Sequence, residues 1–302
     1  MRLTASITLL KKEISITDMS KQSKLLILLL WVLAPCLAQA QVYEETDYDF
    51  RARFSLELEK KLAKRLKLKV SEEFRMKENL SVADRSYTSL SLEYKACPYL
   101  RLGAEYTLMA LHKYEESSWI WELRHRANFD ITGLYSLGNF KFSLRERLQL
   151  THRPSEMNVY QNPRNELVLR SRFKVSYSIP GSPVKPYFSS ELRNTLNAVR
   201  FLSPNYSSVQ GDNVEYNDIY ISRIRFQPGL EWKLSRRNSL DFYLLVDRTF
   251  KKSYDAKKNG NLKPLLDSEG EPMLDLSGNQ LYCIFFENAW HFSLGVSYIY
   301  EF

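Results

Sequence analysis

The chain is poor in the residues that make most catalytic sites recognisable. Only three of its 302 residues are cysteine and four are histidine. Cys36, Cys97 and Cys283 form no Cys-x-x-Cys pair, and His112, His125, His152 and His291 are too scattered for metal ligation. No Gly-rich phosphate loop or nucleophile elbow occurs, so no metal and no cofactor is expected. Glycine is scarce, at ten residues, and long apolar runs are missing. The longest, 25–33, is too short for a membrane helix of about 20 residues, and no other window reaches the ~18 that such a helix needs. A net charge of +8 is mild and interleaved with acids, which argues against a nucleic-acid partner.

What surrounds that apolar run is informative. Lys21 and Lys24 precede it and Ala38-Gln39-Ala40 follows it, the layout of a secretory signal peptide cleaved after Ala40. Met19 stands where such a peptide should begin, so residues 1–18 read as lying upstream of the true start. Cys36 sits in a loose lipoprotein-like box, but Pro35 departs from that pattern and lipidation is not expected. Loss of residues 1–40 removes five basic and two acidic residues and leaves +5. Cys97 and Cys283 then remain, expected unpaired and at opposite ends of the fold.

The remainder, 41–302, alternates with period two, the mark of strands with one apolar face. The clearest case is the end of the chain. Trp290, Phe292, Leu294, Val296, Tyr298, Tyr300 and Phe302 project one way, and His291, Ser293, Gly295, Ser297, Ile299 and Glu301 the other. That length exceeds the 9–11 residues with which a tilted strand crosses a membrane. The same alternation gives about eleven strands: 47–60, 66–77, 88–94, 100–108, 119–131, 140–150, 167–177, 188–194, 224–234, 240–246 and 290–302. Over 58–74 an i+4 spacing of Leu58, Leu62, Leu66, Val70 and Phe74 competes with a helix, and a hairpin is preferred because the rest of the chain shares its period. Short connections near 60–64, 96–99, 133–139, 180–186 and 235–238 alternate with longer polar ones at 77–85, 109–118, 153–165, 197–217 and 254–280. This rhythm is that of outer-membrane barrels, whose strand numbers are even. The expectation is therefore an all-β, antiparallel transmembrane β-barrel of about 10–12 strands, with ten or twelve favoured and residues 41–48 a candidate for a missed strand.

The segments Glu122-Leu123-Arg124-His125-Arg126, Arg145-Glu146-Arg147-Leu148-Gln149, Leu169-Arg170-Ser171-Arg172 and Leu102-Gly103-Ala104-Glu105-Tyr106, with the closing Phe302, resemble the bacterial family called domain of unknown function 2490. The likeness spans the chain beyond the leader. It implies an outer-membrane barrel of a Gram-negative bacterium, a family common in the Bacteroidetes, and no reaction. The aromatic end (Tyr298, Tyr300, Phe302) also resembles the insertion signal of such barrels. Expected partners are thus outer-membrane lipid and the barrel-assembly machinery; the oligomeric state stays open.

Arginines are the most unusual feature of the polar face. Arg124, Arg126, Arg145, Arg147, Arg170, Arg172, Arg223 and Arg225 fall as i,i+2 pairs on successive strands, with Glu122 and Glu231 on the same face. They could line an anion-selective pore. They could equally fill a small barrel and pair with Glu57, Glu73, Glu93, Glu105, Glu122, Glu191, Glu231 and Asp241, which the sharing of one face favours. The leading function is thus a narrow pore or structural barrel with a charged lumen. His291-Phe292-Ser293 resembles the His-x-Ser pair of the outer-membrane lipid A deacylase, and keeps open a lipid-modifying enzyme. Against it, a lipid substrate needs the pair on the face that Trp290, Phe292 and Leu294 occupy. A soluble periplasmic β-sandwich binding protein is the third reading.

Overall fold

A computed structural model describes residues 46–115, 118–154, 162–200, 206–208, 214–255 and 262–302. The expected leader, with Cys36, lies outside these. Twelve strands follow in order: β1 (Thr46–Ala63), β2 (Leu66–Lys77), β3 (Val82–Cys97), β4 (Leu100–Glu115), β5 (Ser118–Leu137), β6 (Phe140–His152), β7 (Asn165–Tyr177), β8 (Val184–Ala198), β9 (Tyr206–Ser208), β10 (Asp218–Lys233), β11 (Asn238–Tyr254) and β12 (Leu281–Glu301). The three-residue β9 only adds to the start of β12. The other eleven form one antiparallel meander closed by β1 against β12.

All eleven strands read from the alternation are present, and the even-number rule that pointed to ten or twelve fails. In an odd meander the first and last strands run the same way, so closure needs a parallel pair. β1 and β12 supply it, from Thr46 opposite Asn288 to Glu59 opposite Glu301. The ambiguous 58–74 stretch is a hairpin with Leu58 opposite Val70. Its inner face is tied by Lys67 to Glu59 at 2.6 Å and Lys69 to Glu57 at 2.7 Å, pairs that a helix would separate.

Barrel dimensions follow from the register. From Arg53 one path of paired residues runs through Arg75, Arg85 and Leu111 to Glu122 on β5. The opposite path runs through Gly295, Tyr243, Gly229, Tyr187, Ser176 and Lys141 to Ser136, also on β5 and fourteen positions further along. With about 4.8 Å between strands and about 3.3 Å per residue, this shear gives a tilt of about 40° and a radius of about 11 Å. The twelve residues of β2, the shortest barrel strand, then rise about 30 Å along the axis, the thickness of a bilayer's hydrocarbon core.

Burial is inverted relative to a soluble protein. Phe54, Leu90, Phe129 and Leu294 are more than half exposed on the outer face, while Arg53, Asn128, Asp247 and Ser293 are 5%, 2%, 2% and 0% exposed inside. Among the described residues two carboxylates interrupt the apolar belt, and both have local partners. Glu146 accepts from the Ser171 hydroxyl at 2.6 Å, and Glu72 from Ser86 and Thr88. His125, also on the outer face, lies 2.7 Å from the Tyr106 hydroxyl.

Two connections expected to be long are tight. Residues 78–81 close β2 to β3, with Glu78, Asn79 and Leu80 at φ of 53°, 54° and 69°. The Asp49 carboxylate holds that turn by accepting from the Asn79 N–H at 3.1 Å. Only residues 116–117 separate β4 from β5. In both places the strands outrun the apolar belt, so their polar ends read as loop. The connections 153–164, 199–217 and 255–280 are long, as expected. All three lie at the end opposite the turns 64–65, 98–99, 138–139, 178–183 and 234–237. Cys97 lies at the short-turn end and Cys283 at the long-loop end, both free.

Candidate functional site

Because the strands alternate, every inward position faces the same confined space, and that space is filled mainly by charge. At its centre is Asp247 on β11. Its carboxylate accepts from Arg225 of β10 at 2.6 and 2.8 Å, and from Arg53 of β1 at 3.4 Å. The last contact passes over β12, whose inward Ser293 and Gly295 are small enough to let the guanidinium across. Arg225 lies 3.8 Å from Glu191 of β8. Glu191 in turn accepts from Arg170 of β7 at 2.8 and 3.0 Å and from Arg145 of β6 at 3.4 Å. One connected network thus joins β1, β11, β10, β8, β7 and β6. Glu191, Asp247 and Arg53 are buried within it, so each charge depends on the others for solvation.

Two further groups complete the wall. Arg147 donates to Asp130 at 2.6 Å through both Nε and Nη2, and to Glu105 at 3.1 and 3.2 Å, bridging β6, β5 and β4. Arg75 pairs with Glu73 and donates to the Tyr87 hydroxyl at 3.2 Å, and Arg85 pairs with Asp84 at 2.7 Å. The guanidinium of Arg75 stacks 4.3 Å from the Tyr87 ring centre, with Arg126 at 5.7 Å.

Of the arginines marked from the sequence, Arg145, Arg147, Arg170 and Arg225 meet carboxylates in these networks. Arg124 pairs with Glu122 of its own strand, which also binds Lys113, nearer the long-loop end. Arg223 keeps a buried Nε without a hydrogen bond. Arg126 and Arg172 reach the lumen without a carboxylate within ion-pair distance among the described residues. Glu231 binds Lys174 at 2.6 Å across β8. Of the eight acids expected to pair, seven do. Asp241 is the exception: it accepts from the Tyr187 hydroxyl at 3.1 Å and its Oδ1 has no partner. Sequence reasoning missed Asp247, because its strand was ended at residue 246, along with Arg53, Arg75 and the Tyr/Gly packing below them.

That packing occupies one register row, Tyr187–Gly229–Tyr243–Gly295 across β8, β10, β11 and β12. A Cβ on Gly229 would fall 2.4 Å from the Tyr187 ring, and one on Gly295 would fall 2.0 Å from the Tyr243 ring. The rings lie flat over bare backbone, which only glycine permits.

Under the networks the lumen opens. A cavity of about 300 Å³ at mid-barrel meets a vestibule of about 590 Å³ at the short-turn end, with Glu57 and Asp241 on both walls. His291 and Ser293 point inward. Ser293 is fully buried, and His291 Nε2 lies 3.3 Å from the Thr249 hydroxyl. The His-x-Ser pair is therefore turned away from the apolar exterior. At the strand's end, the Phe302 N–H donates to the Glu59 carbonyl at 2.8 Å and its ring packs edge-on against Tyr300 at 4.8 Å. Tyr298 donates to Asn238 at 2.5 Å.

Among known families, the model described as a protein of unknown function (DUF2490) matches residues 50–258, well over half of the chain. No curated protein matches.

Proposed function

Starting from the premise that the chain belongs to the DUF2490 family, we propose that it is an outer-membrane β-barrel whose lumen is closed at mid-height by its arginine–carboxylate networks. It serves as a structural barrel with a blind, charged vestibule, with neither an open pore nor an enzyme's site. The observation that carries this reading is the combination of an apolar outer belt with ion pairs that reach between non-adjacent strands, Arg53 to Asp247 above all. A lipid-facing belt is what only a membrane partner can cover, since closed barrels satisfy their backbone internally. Aromatics support two interfaces: Trp119, stacked on His112 at 4.4 Å, and Trp121, tilted against it at 4.7 Å, at the long-loop end, and Tyr94, Tyr99 and Trp232 at the other. Export by the leader over 1–40, and recognition of Tyr298, Tyr300 and Phe302 by the barrel-assembly machinery, belong to the same proposal. So does an orientation with the short turns in the periplasm. A lipid hydrolase is disfavoured by the inward His291 and Ser293.

The test combines membrane fractionation, gel mobility with and without boiling, and conductance in planar bilayers. The expected result is an outer-membrane protein with a heat-modifiable band and no conductance step. A water-soluble protein with one unchanged band would refute the membrane barrel, and reproducible conductance steps would refute closure.

A further inference from the structure

The mid-barrel cavity is walled by seven arginines and four carboxylates and by no lysine, whereas the vestibule under it carries Lys67, Lys69, Lys185 and Lys233. Most of the cavity's arginines are engaged: Arg147 by Glu105 and Asp130, Arg170 by Glu191, Arg225 by Asp247, and Arg75 by Glu73. Two differ. Arg172 has no hydrogen bond or ion pair among the described residues and meets Glu191 and Asp241 only at longer range, and Arg126 donates to the Thr151 hydroxyl at 3.1 Å with Glu166 beyond ion-pair distance. They stand on β7 and β5, with β6 between, and face one space. A guanidinium drawn away from bulk water without a direct anion partner is costly, and its planar fork matches the two oxygens of a phosphate or carboxylate. A volume of about 300 Å³ is at the lower end for ligand pockets, which suits a small acid and excludes a sugar chain.

We propose that this cavity binds a small oxyanion of the phosphate or carboxylate class, entering from the short-turn end and held by Arg126 and Arg172. The site rests on the closed-barrel reading in one respect, that the networks above give it a blind end. Asp241, on the wall shared with the vestibule and with no cation within ion-pair distance among the described residues, limits affinity by repelling the anion at the mouth.

The experiment is titration calorimetry on the full chain folded in detergent, with inorganic phosphate, succinate and chloride at matched ionic strength. Phosphate or succinate binds, and which is tighter tells the two classes apart; chloride does not bind. Arg172→Gln and Arg126→Gln each weaken binding by about tenfold or more. Arg51→Gln, in the separate small cavity on the other side of the network, stays within about twofold of the parent. Asp241→Asn tightens binding several-fold. Equal heats with chloride, no loss in Arg172→Gln and Arg126→Gln, or an equal loss in Arg51→Gln would overturn the site. Heat-modifiable mobility identifies the folded variants. If neither arginine variant folds, unchanged or weaker binding by Asp241→Asn overturns it. Conductance is read separately: a conducting protein that still binds the oxyanion refutes closure and leaves the site standing.

Discussion

Removing the charge of Asp247 while keeping its shape should unfold the barrel more readily than any exposed ion-pair substitution. Asp247 is 2% exposed and accepts three hydrogen bonds, two from Arg225 and one from Arg53. Breaking a buried pair by removing one partner costs about 3–5 kcal/mol, because the surviving charge stays buried. In Asp247→Asn the amide oxygen retains one acceptor, which places the loss at the lower end, about 3 kcal/mol. That is roughly two powers of ten in the unfolding equilibrium. The assay is urea unfolding in detergent or vesicles, followed by tryptophan fluorescence and by loss of the fast-migrating band. Glu287→Gln provides the control, since its pair with Lys251 is exposed and should change stability by less than about 1 kcal/mol. A double-mutant cycle with Arg225→Gln should show a coupling of about 2 kcal/mol, as one uncompensated charge is removed with the other. Additivity within about 0.5 kcal/mol, or a loss in Asp247→Asn no larger than the control's, would refute the solvation argument.

Gly295→Ala should destabilise by about 1–3 kcal/mol because its Cβ meets the Tyr243 ring at 2.0 Å, and pairing it with Tyr243→Ser should remove most of that penalty in the same titration. Gly138→Ala, at φ +56° with nothing near its Cβ, should cost about 1 kcal/mol through backbone strain alone, with no rescue by any neighbour. A membrane-impermeant maleimide applied to intact cells should label Cys283 and spare Cys97, with the reverse if the short turns face outward. In detergent both should react. Cys283 should then be the slower at neutral pH, because burial, and secondarily the Asp255 carboxylate, raise its thiol pKa and thin the thiolate. Phe302→Ala should lower the amount of heat-modifiable barrel recovered from cells more than it lowers the urea midpoint of refolded protein. Equal effects would assign Phe302 a packing role alone.

Strand existence was legible because the two faces of this barrel wall differ in chemistry, apolar outside and charged inside, and each residue must suit one of them. Leu240, Phe242, Leu244 and Val246 announce β11 for that reason. Strand ends were less legible, since beyond the apolar belt both faces are polar and the alternation fades at Lys113, Tyr114 and Glu115. Asp247 was missed for another reason: it faces the buried interior one residue beyond Val246, the last apolar position read, and the next outward residue is the polar Arg248. Parity was misjudged by trusting a family rule over the eleven alternating stretches. The arginine rows were visible as i,i+2 pairs. Their partners were not, because Arg53 and Asp247 are 194 residues apart and meet only once the cylinder has closed. Nor does alternation distinguish Asp241, which has no cation within ion-pair distance among the described residues, from Glu231, which pairs with Lys174. That difference comes from how side chains on opposite walls divide a limited volume.

The parallel seam between β1 and β12 also carries a historical constraint. Barrels of this kind grow or shrink most simply by whole hairpins, which leave parity unchanged and keep every later strand pointing as before. A single strand inserted within the meander would invert all that follow, moving loops to the wrong side and turning the charge networks upside down. Only at an end of the series can one strand be gained or lost without that inversion. Relatives with one strand more or fewer should therefore differ from this chain at the seam first, where β1 meets β12.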